Sequence, residues 1–540
     1  MAESEKVEKN VILGVHLENA VAYTVRPPSP VAERNAVVPP DILNTAVVGA
    51  GVAGLYTAWR VLGSGQPPGG IAVFEAAKRV GGRLFSVDMP DTSGIAAEFG
   101  GMRFPAGQSL ITSVASRLGL AIRDFPVAGP ESFLYLRGVR WRAGDIAQKR
   151  QIPYRLRADE IGLGPIELIV KALRQVMPDV KHLQPNDWVR VKQTLTLDDR
   201  PLTDWGFWNF LNRFLSDEAL QFIEMGTGYS SIGRNWNTAE ALALFAEFGT
   251  SPGSRTLVDG MQALPEALAV AVARQGATVH RQHRLIALRV PAQTGDGLHE
   301  LVFETPEGPR IVRARCVVLA LPRRAIELIP DCVALKEPRS AALLATVTPR
   351  PLGKVFLSHT DAWWRPLGLT SGRATTDLPI RQIHYFGTES ERPLGATGLL
   401  TMGYFDTPHL DYWAGLRRLE RPGATGFTML DPQGPLATEV RRQIAVVHGL
   451  DQPAPTSAPL STGFMNWEDN PFGGAWHTWN QGVKSWEVMK EIMRPVPGAA
   501  LHIVGEAWST EQGWVEGALQ TSEALVRDAM HLSAPAWLSA

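Results

Sequence analysis

The chain has 540 residues, 45% apolar and 20% charged, with a formal net charge of −1. That length predicts roughly two to four domains, and the near-neutral charge without a long basic block speaks against nucleic acid or an anionic membrane as partner. No apolar run approaches the roughly 18 residues of a membrane-spanning helix, and the two cysteines, Cys316 and Cys332, have neither disulfide-framework nor zinc-ligand spacing, so no metal site is expected.

The first ten residues, MAESEKVEKN, mix acids and lysines with no apolar core behind them. They do not read as a signal peptide, and a cytoplasmic protein is expected. The proline-rich segment Pro27 to Pro40 reads as an arm laid over the surface. The first organised stretch is Thr45 to Glu75. Ala46 to Val48 predicts a buried parallel strand. Gly49, Gly51 and Gly54 follow in Gly-x-Gly-x-x-Gly spacing, and Ala53, Leu55, Tyr56, Ala58, Trp59 and Leu62 predict a helix that stops at Gly63 and Gly65. A second strand, Ile71 to Phe74, ends on Glu75, about 20 residues past the last glycine. Each part has a physical purpose: Gly49 makes the tight turn, Gly51 lets the backbone approach a pyrophosphate, and Gly54 lets helix and strand pack closely. The helix N-terminus, with Ala53 in its first turn, presents free N–H groups to phosphate, and Glu75 accepts from a ribose hydroxyl pair. A glycine pattern alone is a weak signal; between strand and helix, with its acid in place, it predicts an α/β dinucleotide-binding unit. Beyond it, Gly81 and Gly82 permit close backbone approach and Arg83 supplies a charge for a phosphate. In AAEFGGMRFP, residues 96–105, Arg103 lies in an otherwise apolar run, which is costly without an anionic partner.

With these segments the chain resembles the flavin-dependent amine oxidase superfamily, and GGMRFP resembles its L-amino-acid oxidase and tryptophan or lysine 2-monooxygenase branch. The resemblance implies noncovalent FAD, since covalent attachment needs a cysteine near the C-terminal motif and none follows Cys332. It implies a Rossmann-like FAD-binding domain split over 41–105, 253–335 and 495–530, a mixed-sheet substrate-binding domain at 336–494, and an inserted, mainly helical substrate-entry region at 106–252. Residues 1–40 form an arm and 531–540 a tail, and relatives suggest a homodimer. The implied fold is α/β, with α+β parts. Arg103 then binds the substrate α-carboxylate, and Gly82, Arg83, Gly101, Met102 and Arg103 line the cofactor. Within the helical region, periodicity predicts helices at Ile166–Val176, at Trp205–Leu215 with Thr203 as N-cap, and at Ala239–Phe248.

Leu257–Leu288 resembles the return to the FAD domain, with a backbone contact from Leu285 on the adenine side, and residues 314–325 resemble the strand that closes over the nucleotide. Cys316 in that strand reads as a buried inert thiol. Lys354, in the apolar strand GKVFL, must snorkel, pair or hold water; by resemblance it holds a water near flavin N5 and assists reaction with oxygen. In LLTMGYFDT, residues 399–407, Met402 and Tyr404 share a strand face. Only Tyr404 donates a hydrogen bond, so it is the candidate second partner of the carboxylate. Trp467 matches a tryptophan beside the flavin, and His477 reads as a satisfied or exposed strand histidine. In the closing segment, residues 501–526, Gly505 and Glu506 are expected at the sugar or ribityl part of FAD. The helix from Val515 points its N-terminus at the flavin pyrimidine. Trp514 walls the substrate, and the Gly513 carbonyl accepts from its amine.

The implied reaction is oxidation of an L-amino acid by hydride transfer from Cα to flavin, with O2 as acceptor, giving a 2-oxo acid, ammonia and H2O2. Oxidative decarboxylation to an amide is the alternative. Trp467, Trp476, Trp508 and Trp514 favour an aromatic or long-stemmed substrate, whereas Glu511 favours a basic one. The rivals are an amine or polyamine oxidase without carboxylate recognition and a flavin-binding protein that oxidises nothing.

Overall fold

The computed structural model describes residues 24–25, 42–65, 70–90, 92, 94–148, 152–178, 187–230, 236–250, 253–291, 297–388, 399–450 and 459–538. The proline-rich segment Pro27 to Pro40 lies outside them. Among the described residues no helix is long and apolar enough to cross a membrane.

Two sheets carry the architecture. The first is seven-stranded. Its parallel part runs Thr278–His280, Ile71–Phe74, Ile42–Val48, Gly308–Leu319 and Leu501–Ile503, so strands far apart in sequence lie side by side. Ile71–Phe74 is buried throughout, as a strand covered on both faces must be. His299–Thr305 and Arg284–Arg289 continue the sheet as an antiparallel meander beside the first half of Gly308–Leu319. The helix Val52–Leu62 packs on one face, against the helices Ala263–Arg274 and Val515–Ala524. A buried bidentate pair, Arg60 to Glu523 at 2.9 and 3.0 Å, together with the Tyr56 hydroxyl on the same carboxylate, fixes the first helix to the last.

The second sheet has eight strands in the order Phe427–Leu430, Thr462–Asn466, Leu352–His359, Leu399–Asp406, Gln382–Phe386, Arg373–Thr376, Phe133–Leu136 and Val139–Arg142. Leu352–His359 is fully buried. Because side chains alternate, Val355 and Leu357 pack under the helices His409–Glu420 and Pro435–His448, while Leu352, Lys354 and Phe356 face Phe85, Phe99 and Trp467. Phe99 is held edge-on by Phe356 and Phe427, each at 4.8 Å; such contacts contribute about 0.5–1.5 kcal/mol beyond burial. They fix the backbone that carries the next residues, Gly100 to Arg103.

The stretch 106–252 is not wholly helical. Ile122–Phe125 pairs with Ser254–Leu257, and the Phe133–Arg142 hairpin extends the second sheet. Its helices fall close to expectation at Pro165–Leu173, Phe207–Phe214 and Thr238–Thr250. Thr203 is not an N-cap: it lies in a 3-10 turn, and Gly206 caps the helix without a side-chain bond. Bulky Trp205 and Phe207 reach the core only when the helix begins after that turn.

Candidate active site

The glycine loop has the shape its spacing predicts. Gly49 has φ +104°, and a Cβ there would sit 2.5 Å from the Ala320 carbonyl oxygen. At Gly54 a Cβ would lie 1.9 Å from the Gly49 carbonyl oxygen, whereas at Gly51 it would meet nothing within 4 Å. The loop is therefore closed against its own protein at two glycines and open at the third, which is a cradle for a pyrophosphate. The helix N-terminus behind it has no side-chain cap, leaving the first-turn amides around Ala53 for an anion. Glu75 closes the unit: its carboxylate accepts from the Ala50 amide at 2.8 Å and the Ala77 amide at 2.9 Å. Burial raises its pKa against the pull of those amides and Arg79. His283, two residues before Leu285, donates its amide to the Glu75 carbonyl at 2.8 Å, and Leu285 itself is buried in the core. Arg79, not singled out in the sequence, ties the next turn together by donating to the carbonyls of Val80, Gly82 and Leu84. Gly82 then stacks over Gly51, where a Cβ would come within 3.5 Å of the Gly51 Cα.

These glycines give contrasting expectations. Gly54→Ala should destabilise the fold by about 3 kcal/mol or more, because neither backbone segment can yield enough to relieve a 1.9 Å approach of Cβ to the Gly49 carbonyl oxygen. Gly51→Ala should leave the apoprotein within about 0.5 kcal/mol of wild type yet release its nucleotide, read as melting temperature beside cofactor retained on gel filtration.

Against the second sheet, walled by Leu352, Lys354 and Tyr404 and by the helix Thr238–Thr250, lies a cavity of about 170 Å³. Gly101, Met102, Arg103, Lys354, Tyr404, Trp467, Gly513 and Trp514 all line it. One guanidinium nitrogen of Arg103, Nη1, is buried without any partner, and the guanidinium lies 5.7 Å from the Phe125 ring centre. Lys354 Nζ donates to the carbonyls of Glu98 (2.7 Å) and Gly100 and sits 5.3 Å from the Tyr404 ring, its register partner on the next strand. Burial pulls the Lys354 pKa down to about 7, with Glu98 opposing and Arg103 assisting. Tyr404 faces the cavity, while Met402 is fully buried in the core. Trp467 donates its indole N–H to the Phe99 carbonyl at 2.7 Å, which leaves its ring as a wall.

Glu506 is a junction. Its carboxylate accepts from the Gly513 amide (2.7 Å), the His477 amide (2.9 Å), His477 Nδ1 (3.0 Å) and Arg83 (2.7 Å). Burial would raise its pKa, but Arg83, His477 and the Gly513 amide outweigh that and hold it at about 2. Arg83 therefore faces Glu506 and the Ala475 carbonyl rather than standing free for a phosphate, because the turn at Gly82 and Arg83, before the strand Ser86–Asp88, sets it on the cavity lining. His477 is buried, and burial lowers its pKa. Gly505, at φ +142°, donates its amide to Thr521, and the helix Val515–Ala524 begins without a side-chain cap. Its Glu516 instead caps the helix Ser109–Arg117 through the amides of Leu110 and Ile111.

Two expected neighbours are elsewhere. Trp508 lines a separate cavity of about 430 Å³ beside the helix Ser485–Ile492, because the 3-10 turn Glu506–Trp508 points it away. Glu511 lies outside the substrate cavity, near Gln108 at 3.4 Å. Cys316 is half-buried, with its pKa pushed up to about 12 by burial, as an inert thiol requires. The sequence reading missed Tyr229, Trp236, Leu244, Phe245 and Gln512, all on the cavity wall. Trp236 and Trp476 meet edge-on at 5.5 Å; the aromatic spacing of 205–248 was the available signal.

A family model described as flavin containing amine oxidoreductase matches residues 52–530. The chain is 27% identical to Aplysianin-A of Aplysia kurodai over 527 residues, 90% of each chain. It is 26% identical to achacin of Lissachatina fulica over 89% of this chain and 92% of that one. It is also 26% identical to an L-amino-acid oxidase of Naja atra over 63% of each. A solved structure of putrescine oxidase bound to putrescine superposes with a TM-score of 0.66 over 91% of this chain and 99% of that one, at 17% identity, a likeness of fold.

Proposed function

The chain belongs to the family of flavin-containing amine oxidoreductases, and from that premise we propose that it oxidises L-amino acids at the α-carbon, returning the electrons to O2 with release of a 2-oxo acid, ammonia and H2O2. The observation that carries the proposal is Arg103: a half-buried arginine on the cavity wall whose Nη1 is shut off from solvent and has no hydrogen-bond partner. Such a group awaits an anion, and its planar fork fits a carboxylate. A diamine has no group to offer it.

FAD is the cofactor, and when bound it accepts the hydride. The uncapped helix at Val52, the open face of Gly51 and Glu75 would hold its nucleotide half, and the uncapped helix at Val515 would offer its N-terminus to negative charge on the ring. Arg103 and Tyr404 orient the carboxylate, and Gly513, fixed through Glu506, places a carbonyl for the amine. Trp467, Trp476 and Trp514 exclude water and confine the side chain. Positioning of this kind supplies much of the rate. Lys354, in reach of the same cavity, faces the negative charge that O2 acquires on reduction.

The wall also suggests the substrate class. Among the described residues it carries Arg83, Arg103 and Lys354 but no carboxylate, and its far side is Trp236, Leu244 and Phe245. Aromatic and large aliphatic L-amino acids should therefore bleach the flavin anaerobically about 10²-fold more efficiently than lysine, arginine or diamines, the cost of a cation without a partner being about 3 kcal/mol. The panel is run by stopped flow, and the oxygenated product is then identified. Bleaching by diamines alone would overturn the amino-acid reading, and an amide product would replace the oxidase by a monooxygenase.

A further inference from the structure

The loop 505–514 has a cavity on each side. Gln512, Gly513 and Trp514 line the catalytic one, and Gly505, Trp508, Ser509 and Thr510 line the larger one of about 430 Å³. Resting on the amino-acid reading above, we propose that this second cavity binds a further molecule of an apolar L-amino acid, as its zwitterion, and that the bound molecule raises the rate of oxidation in the catalytic cavity.

Its size lies in the range of small-molecule sites, about 300–1,000 Å³. The walls are largely apolar. Trp486 and Met489 come from the helix Ser485–Ile492 and Met493 from the residue after it, and Ile503 ends a strand of the first sheet opposite Trp508 in the loop. Indole rings and thioethers adapt to a flat or branched side chain. The buried charge on this wall is already paired: Lys192 donates to Glu240 at 2.6 Å, and Ser485 donates to the other oxygen of the same carboxylate. Water finds few partners between such walls, and a charge carried to them would find none free.

The rim supplies what the walls lack. Lys490 stands one helical turn beyond Trp486, and Gln520, Ala524 and Asp528 follow one another along the last helix and the turn that continues it, all on the cavity. Lys490 and Asp528 are exposed, and neither side chain has an ion-pair or hydrogen-bond partner among the described residues. Opposite charges on one rim fit a molecule that carries opposite charges at one end: the carboxylate goes to Lys490, the ammonium to Asp528 and the side chain between the indoles. A fatty acid would meet Asp528, an amine would meet Lys490, and an uncharged molecule would leave both idle. Exposed pairs of this kind contribute only about 0.2–1 kcal/mol each. The site is therefore weak, with a dissociation constant on the order of 1 mM.

The partition between the cavities carries the coupling. Thr521, on the second cavity, accepts the Gly505 amide at 2.9 Å. Ser509, on the same wall, donates to the Glu506 carbonyl at 2.8 Å and accepts the Glu511 amide at 3.2 Å. Gln512, on the catalytic wall, donates to the Ala507 carbonyl, and the Glu506 carboxylate accepts the Gly513 amide. A molecule packed against Ser509 and Thr521 holds this loop in one arrangement, and with it the Gly513 carbonyl meant for the substrate amine. A ligand shifts a population by its differential affinity for the two states, and couplings of this kind begin at about fivefold.

The test uses the FAD-containing protein and L-tryptophan. In Arg103→Ala, whose catalytic cavity no longer grips a carboxylate, equilibrium dialysis should still find about one tryptophan per chain at concentrations well above 1 mM. Adding Ala524→Trp, which fills the cavity with an indole of its own, or Asp528→Lys, which makes the rim wholly positive, should weaken that binding about tenfold or more. In otherwise wild-type protein, anaerobic bleaching at high tryptophan should rise about fivefold above a single hyperbola, whereas Asp528→Lys should follow the hyperbola throughout. No tryptophan retained by Arg103→Ala, or retention untouched by both added substitutions, would overturn the site. Retention of indole in place of tryptophan would overturn the zwitterion, and identical hyperbolas in wild type and Asp528→Lys would overturn the coupling. Retention that both substitutions abolish, without bleaching of wild type by any amino acid, would sink the oxidase reading and leave the second site standing.

Discussion

Arg103→Ala should cut the second-order rate of anaerobic flavin bleaching by L-amino acids about 10³-fold, or about 4 kcal/mol, without loss of bound flavin. The magnitude follows from the environment. The guanidinium stands on the cavity wall with its Nη1 buried and without a hydrogen-bond partner, so that nitrogen meets a carboxylate away from water, where removing one member of a charge pair costs about 2–5 kcal/mol. Arg103→Lys should recover only part, because an ammonium keeps the charge but not the two-pronged geometry. Amines of the same side chain without a carboxylate should react equally slowly with wild type and variant. Equal bleaching of amino acids by wild type and Arg103→Ala would place the carboxylate elsewhere.

Lys354→Met should slow flavin reoxidation by O2 about 10²-fold while leaving the anaerobic half-reaction within a few-fold, since an unfavourable charge build-up of about 3 kcal/mol would go unopposed. Stopped-flow mixing of the reduced protein with oxygenated buffer separates the two halves. The pH dependence has a definite sign. Burial lowers the Lys354 pKa from an ordinary value near 10.5 to about 7, so the ammonium is present below about pH 7 and is lost as pH rises through it. Reoxidation in wild type should fall across that window, and the variant should show no such step. A step that persists in Lys354→Met would assign the ionisation to another group.

What could be read from the sequence was what covalent spacing enforces. Gly49, Gly51, Gly54 and Glu75 sit within one strand–helix–strand unit, where a few residues of separation dictate the geometry. Arg103 and Lys354 stood out as charges inside apolar runs, a signal of burial that needs no partner to be visible. Tyr229, Arg373 and Gln382 left no such trace. They meet because Arg373–Thr376, Gln382–Phe386 and Leu399–Asp406 align edge to edge with the end of a helix some 150 residues earlier, and each alone is an ordinary polar residue. Trp508 and Trp476 differ for the same reason: both lie in aromatic, glycine-rich segments, but a 3-10 turn aims one away and a strand register aims the other in. Arg83 was legible as a functional charge, not as the partner of Glu506, 423 positions away.

The Glu506 junction sets an order on biosynthesis. One carboxylate gathers an arginine from the first sixth of the chain, a histidine from far downstream and an amide seven residues beyond itself, and the strand before it completes the sheet begun at Ile42. A nascent chain made as far as residue 480 holds the glycine loop, Glu75, Arg103 and Lys354, yet has nothing to fix the cavity floor. The proposed oxidation is thereby withheld until the strand Leu501–Ile503 and the helix Val515–Ala524 have been made and have joined the fold.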